Sequence, residues 1–179
     1  MFVALQKGWV PPTEVTEEDY YHIKENQNTI PWVAGFVGFA CSFAGKWWGG
    51  YARDGQGGNY ALRGHNSVMK KMLNLQEAKF SCKDFTELDY ENTLVYCDPP
   101  YRGTTQYCKS ILGNFDYDLF LNWAREQNNK KGNMVLISEY KHNLPEDGEI
   151  MLEIPSRTSI RDKDGNVIET TEILFTFKK

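Results

Sequence analysis

The sequence has no long apolar run, no cysteine pair at metal-ligand spacing, few histidines and no excess of positive charge. No stretch approaches the roughly 18 apolar residues of a membrane-spanning helix, which excludes one. The opening MFVALQKGWVPP lacks the charged, apolar and small-residue zones of a secretory signal. Cys41, Cys82, Cys97 and Cys108 are 41, 15 and 11 positions apart, with no CxxC pair. That spacing excludes a zinc site and a tight disulfide framework, and a cytosolic protein with free thiols is expected. His22, His65 and His142 stand at no metal-like spacing, so surface or packing roles and no metal are expected. There is no internal repeat and no low-complexity tract. Aromatic residues at 14% and charged residues at 25% exclude intrinsic disorder. The 179 residues suffice for one domain with a sizeable core and are short for two.

The net charge of −4 excludes a protein coated in positive charge, but its distribution is uneven. From Ser42 to Lys71, Lys46, Arg53, Arg63, Lys70 and Lys71 stand against Asp54 alone, which makes +4 there and leaves −8 elsewhere. A basic island in an acidic chain suits a localised phosphate contact; a solvated, lysine-decorated surface is the plainer alternative.

Thr13 to Asn26 reads as a helix: threonine can cap it, acids fill its first turn, and Pro11-Pro12 blocks backward extension. Ile30 to Gly58 is a zone of glycine, aromatic and small residues, and a helix is expected from about Gly64 to Leu73. Ala78–Cys82 and Thr93–Cys97 are short apolar runs that read as buried strands. Tyr117 to Gln127 reads as a helix capped by Asp116, with Leu119, Phe120, Trp123 and Ala124 on one face. Asn133–Ser138, Glu149–Ile154 and Glu172–Phe177 follow as strands, the last two antiparallel about a DKDG turn. This order predicts an α/β sheet with an antiparallel C-terminal edge.

The sharpest chemical feature is Asp98-Pro99-Pro100-Tyr101, directly after Leu94-Val95-Tyr96-Cys97. Two prolines cannot continue a central strand, so the strand ends there, where open parallel sheets bind their ligands. The segment offers a carboxylate, a rigid turn whose prolines bear carbonyls but no N–H, and an aromatic ring. A planar amine fits: Asp98 and a proline carbonyl accept its two hydrogens while Tyr101 stacks on its ring. The alternative is an ordinary strand-ending turn with a solvent-facing aspartate.

CDPPY after an apolar strand resembles motif IV of the amino-methyltransferases that modify adenine in DNA. GFVGFACSFAGKWWGGYAR, KFSCKDFTEL, VYCDPPYRGTTQY, FDYDLFLNWARE and NMVLISEY, in that order, are similar to Dam-type, alpha-group enzymes, phage and prophage versions especially. The resemblance covers nearly the whole chain. It implies transfer of a methyl group from S-adenosylmethionine to N6 of an adenine flipped out of double-stranded DNA. Asp98 and the Pro99 carbonyl would hold the amino group within the Pro99-Pro100 turn, and Tyr101 would stack on the base. No covalent intermediate and no metal is implied; positioning and electrostatics carry the reaction. Asp84-Phe85 matches the family's acidic-aromatic pair beside the adenine of the methyl donor, with a helix cap as the alternative. Lys46-Trp47-Trp48-Gly49-Gly50-Tyr51-Ala52-Arg53 falls in the target-recognition region, so Lys46, Tyr51 and Arg53 are the expected DNA contacts. A packed aromatic cluster with two glycine turns is the alternative for this stretch.

Several other features are assigned no chemistry. Phe36-Val37-Gly38-Phe39-Ala40 looks like an FxGxG cofactor loop, but alanine replaces the second glycine and no acid precedes it, so a packed helix or turn is expected. Gly55-Gln56-Gly57-Gly58 reads as a flexible loop. Ser138-Glu139 ends a strand and could line the site. Arg157-Thr158 has no assignable role.

The family's lysine-bearing opening motif, its acidic FxGxG loop and the ribose-binding aspartate do not precede Met1-Phe2-Val3. In the family's sheet the two strands that carry them lie between those matching Ala78–Cys82 and Thr93–Cys97, so their loss would expose central edges. The expectation is thus a partial Rossmann-like methyltransferase fold, completed by an N-terminal segment or a second chain. Residues 1–75 would hold a helical segment and an inserted recognition region, and 76–179 the catalytic α/β portion. An adenine N6-methyltransferase portion is the first reading, a catalytically inactive DNA- or partner-binding remnant the second, and methylation of another planar amine the third. The chain alone is expected to bind S-adenosylmethionine weakly or not at all; calorimetry giving micromolar affinity would overturn that.

Overall fold

The computed structural model describes residues 1–53, 57–102, 115–161 and 167–178, with side chains described up to 155 and again from 171 within the last two ranges. The chain divides into two compact units, Met1–Cys82 and Lys83–Lys179.

The first unit is helical. After the short α1 (Phe2–Gln6), α2 spans Glu17–Glu25. Thr16 caps α2 reciprocally: its hydroxyl accepts the Asp19 N–H at 3.1 Å while the Asp19 carboxylate accepts the Thr16 N–H at 3.0 Å. Helix α3 (Pro31–Ala40) opens on a proline at its first position, where no N–H is needed. Helix α4 (Tyr60–Met72) begins four residues before the expected Gly64, because the Asn59 side chain accepts the Leu62 N–H at 2.8 Å and caps an earlier turn. Tyr20, Phe36, Val37, Cys41 and Ala61 form the core. Helices α3 and α4 approach closely at Gly64, where a Cβ would stand 2.7 Å from that of Ala40.

The expected strand Ala78–Cys82 is not one. Its residues are in no ladder, and both main-chain groups of its first residue, Ala78, are bonded elsewhere, the N–H to the Leu75 carbonyl and the carbonyl to Gln6. The Gln6 amide donates to the Leu75 carbonyl at 2.6 Å and to that of Ala78 at 2.8 Å, and Phe2 stacks on Phe80 with ring centroids 5.1 Å apart. An apolar run becomes a strand only with a neighbour to pair with, and here α1 supplies side-chain contacts instead.

The second unit is a four-stranded mixed sheet with one helix on it. β1 (Leu94–Cys97) runs parallel to β2 (Met134–Tyr140), and α5 (Tyr117–Asn129) lies between them in sequence. β3 (Gly148–Arg161) and β4 (Val167–Phe177) are antiparallel and extend beyond the lengths expected. The order is β1-β2-β4-β3. The DKDG turn and Cys108 lie outside the described residues, as do the side chains of Arg157 and Thr158 and the first two residues of the 55–58 loop. Asp116 caps α5, accepting the Leu119 N–H at 2.9 Å.

One sheet face is dry. Val95, Val135, Ile137, Ile173, Phe175 and Phe177 pack on Phe120, Trp123 and Ala124 of α5. Two buried asparagines lock helix to sheet. Asn128 accepts the Val135 N–H at 3.0 Å and donates to the Phe177 carbonyl at 3.3 Å. Asn133 accepts the Thr93 N–H at 3.0 Å and donates to the carbonyls of Tyr90 and Gln127 at 2.8 and 3.0 Å. The opposite face carries exposed apolar side chains: Leu94, Tyr96, Leu152 and Ile154 are 63, 61, 51 and 54% exposed. Replacing Asn128 by alanine strands the buried Val135 N–H, and a loss of about 1–3 kcal/mol is expected in urea unfolding of Asn128→Ala; an unchanged midpoint would contradict the lock.

Candidate active site

Strand β1 delivers the site. Val95 anchors it in the core, and burial raises the Cys97 thiol to about 11. The ladder then stops, because Pro99 and Pro100 have no N–H to donate. Asp98 stands exposed at this strand end, its carboxylate without a hydrogen-bond partner among the described residues. The prolines behind it are half-buried, and the Tyr117 hydroxyl of α5 donates to the Pro100 carbonyl. That bond occupies the Pro100 carbonyl, not that of Pro99.

Tyr101 turns back over the end of β2. Its ring meets Tyr140 edge-on, with centroids 4.7 Å apart. Ser138 hydrogen-bonds the Tyr101 hydroxyl, and the Ser138 and Tyr96 hydroxyls are 2.7 Å apart. Burial raises the Tyr101 hydroxyl to about 12, aided by the negative charges of Glu172 and Asp98 and opposed by the Ser138 bond. Behind the turn, the Arg102 N–H donates to Glu139 at 3.0 Å and the Asn143 amide donates to the Arg102 carbonyl at 3.1 Å. The Arg102 guanidinium pairs with Asp118 at 3.1 Å and lies over the Tyr117 ring. The result is an open carboxylate and an aromatic ring on a turn that side chains brace from behind. This arrangement can hold a planar amine by its hydrogens.

Asp84 and Phe85 lie elsewhere on the same unit and serve the fold. Asp84 caps a short 3-10 turn (Phe85–Glu87): its Oδ1 accepts the Thr86 N–H at 2.9 Å and the Thr86 hydroxyl at 2.6 Å. These bonds hold its carboxyl below the usual range. Phe85 packs edge-on against Phe120 and Trp123, each at 5.6 Å. Asp84 Oδ2 keeps no partner among the described residues and stays exposed, so a donor-bearing ligand fits there.

The aromatic-basic stretch lies in the first unit. Its turn is closed at the base by a bridge between Ser42 and Tyr51. Gly38 of α3 seats the indoles of Trp47 and Trp48, for a Cβ there would stand 2.5 Å from the Trp47 ring. Phe36–Ala40 is therefore helix and ring seat, as its departures from FxGxG suggested. Trp48 and Tyr51 pack on the buried Tyr20, and the Tyr51 hydroxyl donates to the Val15 carbonyl at 2.8 Å. Arg53 is exposed and pairs with Glu17, and Lys46 is exposed. The stretch thus joins a packed aromatic cluster to two solvent-facing cations.

Residues 56–166 match the model of the D12 class N6 adenine-specific DNA methyltransferase family. The chain belongs to this family. No curated protein and no solved structure matches it. The D12 match takes in α4, β1, the Asp98 turn, α5, β2 and all of β3. Among the described residues, no group of three His, Cys, Asp or Glu side chains could hold a metal ion, and no helix is long and apolar enough to cross a membrane.

Sequence reasoning placed the Asp98 turn but missed Tyr117, Asn143, Tyr140 and Glu172 around it. Tyr140 had a signal: alternation puts it on the same face of β2 as Ser138. Tyr117, Asn143 and Glu172 had none, since only the fold brings them near. The raised Tyr101 pKa fixes a titration. Below pH 10 the protonated hydroxyl contributes its full stabilisation, which is lost as pH rises from 10 to about 12. In ultraviolet difference titration, Tyr101→Phe should leave the absorbance gained below about pH 11 intact and remove amplitude above it; a loss confined to lower pH would contradict the assignment.

Proposed function

We propose that the Asp98 turn receives the N6 amino group of an adenine flipped from double-stranded DNA and presents it for methylation, with S-adenosylmethionine as donor. The observation that carries this is the open Asp98 carboxylate on a braced turn, in a chain that belongs to an adenine-specific family. Asp98 accepts one N6 hydrogen and the Pro99 carbonyl the other; Tyr101 stacks on the base. Holding both hydrogens aims the nitrogen lone pair away from the turn, towards the incoming methyl. Flipping is needed because N6 is paired inside the duplex. S-adenosylmethionine supplies an electrophilic methyl group when bound, and Asp84 Oδ2 with the partly buried Phe85 would contact its adenine end. Lys46 and Arg53 contact phosphates or base edges, and Tyr51 supports them by fixing the turn that carries them.

The edge of β1 away from β2 has no ladder partner among the described residues, and the far sheet face is apolar and exposed. Both support a further part of the reading: a preceding segment or a second chain completes this sheet and shares in holding the donor. They equally favour the second reading, a DNA- or partner-binding remnant without turnover. Methyl transfer to adenine-containing duplex DNA, assayed with and without a supplied segment bearing an FxGxG loop, separates the two. Asp98→Ala should lower transfer by about 10²–10³-fold with duplex binding retained. Arg53→Ala should weaken binding and reduce its salt slope by about 1. Full transfer by Asp98→Ala would refute the proposed role.

A further inference from the structure

Glu139 is a carboxylate only 6% exposed, next to last in β2, and none of the ion pairs among the described residues includes it. A buried carboxylate is costly unless hydrogen bonds satisfy it. Three N–H donors do so. The Arg102 main chain donates to Oε2 at 3.0 Å, and the Tyr140 main chain donates to Oε1 at 2.7 Å. The Asn143 amide donates to Oε1 at 3.2 Å and, through the same nitrogen, to the Arg102 carbonyl at 3.1 Å. The peptide groups on both sides of Arg102 are therefore held, N–H by Glu139 and carbonyl by Asn143.

That grip matters because of what precedes it. Pro99 and Pro100 have no N–H, so the turn cannot be fixed by main-chain donors of its own. Its only other main-chain hold among the described residues is Tyr117 on the Pro100 carbonyl. Arg102 is the first residue after Tyr101, and its amide ties the main chain of the turn to β2, alongside the side-chain contacts that Tyr101 makes with Ser138 and Tyr140.

We infer that Glu139 is the positioning residue of the active-site turn: as a carboxylate it fixes the Arg102 amide and so sets where Asp98 and Tyr101 point. This rests on the Asp98 turn being the catalytic segment. The donor set requires a carboxylate rather than any acceptor. Both oxygens face N–H groups, so a glutamine of the same volume would turn its NH2 towards one of them. Packing is then preserved and only the hydrogen bonding is altered.

The test is amide hydrogen exchange by NMR on the full chain, with methyl-transfer kinetics alongside. In Glu139→Gln, Arg102 should exchange about tenfold or more faster, while Phe175 in the core stays protected. Turnover should fall by about tenfold or more with KM for DNA within about twofold. Asn143→Ala, which leaves the carboxylate in place, should shift both readouts in the same direction, and the double variant should lose less than the product of the two. If Glu139→Gln exposes Phe175, Glu139→Asp, which keeps the carboxylate but draws it back from the Arg102 N–H, decides the matter: faster Arg102 exchange supports the inference and unchanged exchange overturns it. Unchanged Arg102 exchange in the folded variants, or a loss seen only in KM, overturns the inference while leaving the methyltransferase reading intact. A wild-type chain that transfers no methyl group, even with the supplied segment, overturns that reading and the catalytic role of Glu139 with it.

Discussion

Two adjacent prolines at the end of a parallel strand are the constraint on which this structure turns. They remove two main-chain donors at the strand end that carries the candidate site. The ladder between β1 and β2 ends at Cys97, paired with Ile137, and the chain must then be held by something other than a neighbouring strand. Side chains from three places supply the hold: Tyr117 from α5, Glu139 from β2, and Asn143 from the turn that follows. Because the prolines offer no N–H, the carboxylate before them finds no donor in its own turn and stands exposed.

The sheet around this turn is asymmetric for related reasons. Its dry face is closed by α5, and Asn128 and Asn133 extend the hydrogen-bond network from helix to strand. These bonds satisfy main-chain groups that a longer ladder would otherwise engage. Tyr96 and Ser138 on the other face share a hydroxyl contact and reach Tyr101, so that face combines an apolar surface with the polar rim of the site. That face leaves Leu94, Leu152 and Ile154 in the open, an apolar surface of the kind the proposed completing segment or second chain would cover.

Local chemistry was legible in the sequence and distant pairing was not. The caps at Thr16 and Asp116, the run of strands from Leu94 onward, the antiparallel C-terminal pair and the Asp98 turn follow from residues within a few positions of one another. Helix α4 was placed late because asparagine at 59 reads as loop until its side chain is seen to cap. Ala78–Cys82 is not a strand because its composition says only that it is apolar, whereas strand formation depends on a partner edge; Gln6, some seventy positions away, instead takes the carbonyl of Ala78 at its start. Glu139 reached the sequence reading only as a strand-end residue that could line the site. What fixes its role is a bond to an amide 37 positions earlier.

The aromatic stretch of the first unit shows the same division between holding and contacting. Trp47, Trp48 and Tyr51 look like a recognition surface in the sequence, yet Gly38 and Tyr20 seat them, and the Tyr51 hydroxyl is bound to main chain. What faces water is the charge at either end, Lys46 and Arg53, together with Trp47, which stays 44% exposed despite its seat on Gly38. Arg53 already has Glu17 as a counter-ion, so a phosphate must compete with a carboxylate for it. An exposed pair of this kind is weak, so displacing it costs little. On the proposed reading, duplex binding through Arg53 should then depend on salt through two competing equilibria rather than one.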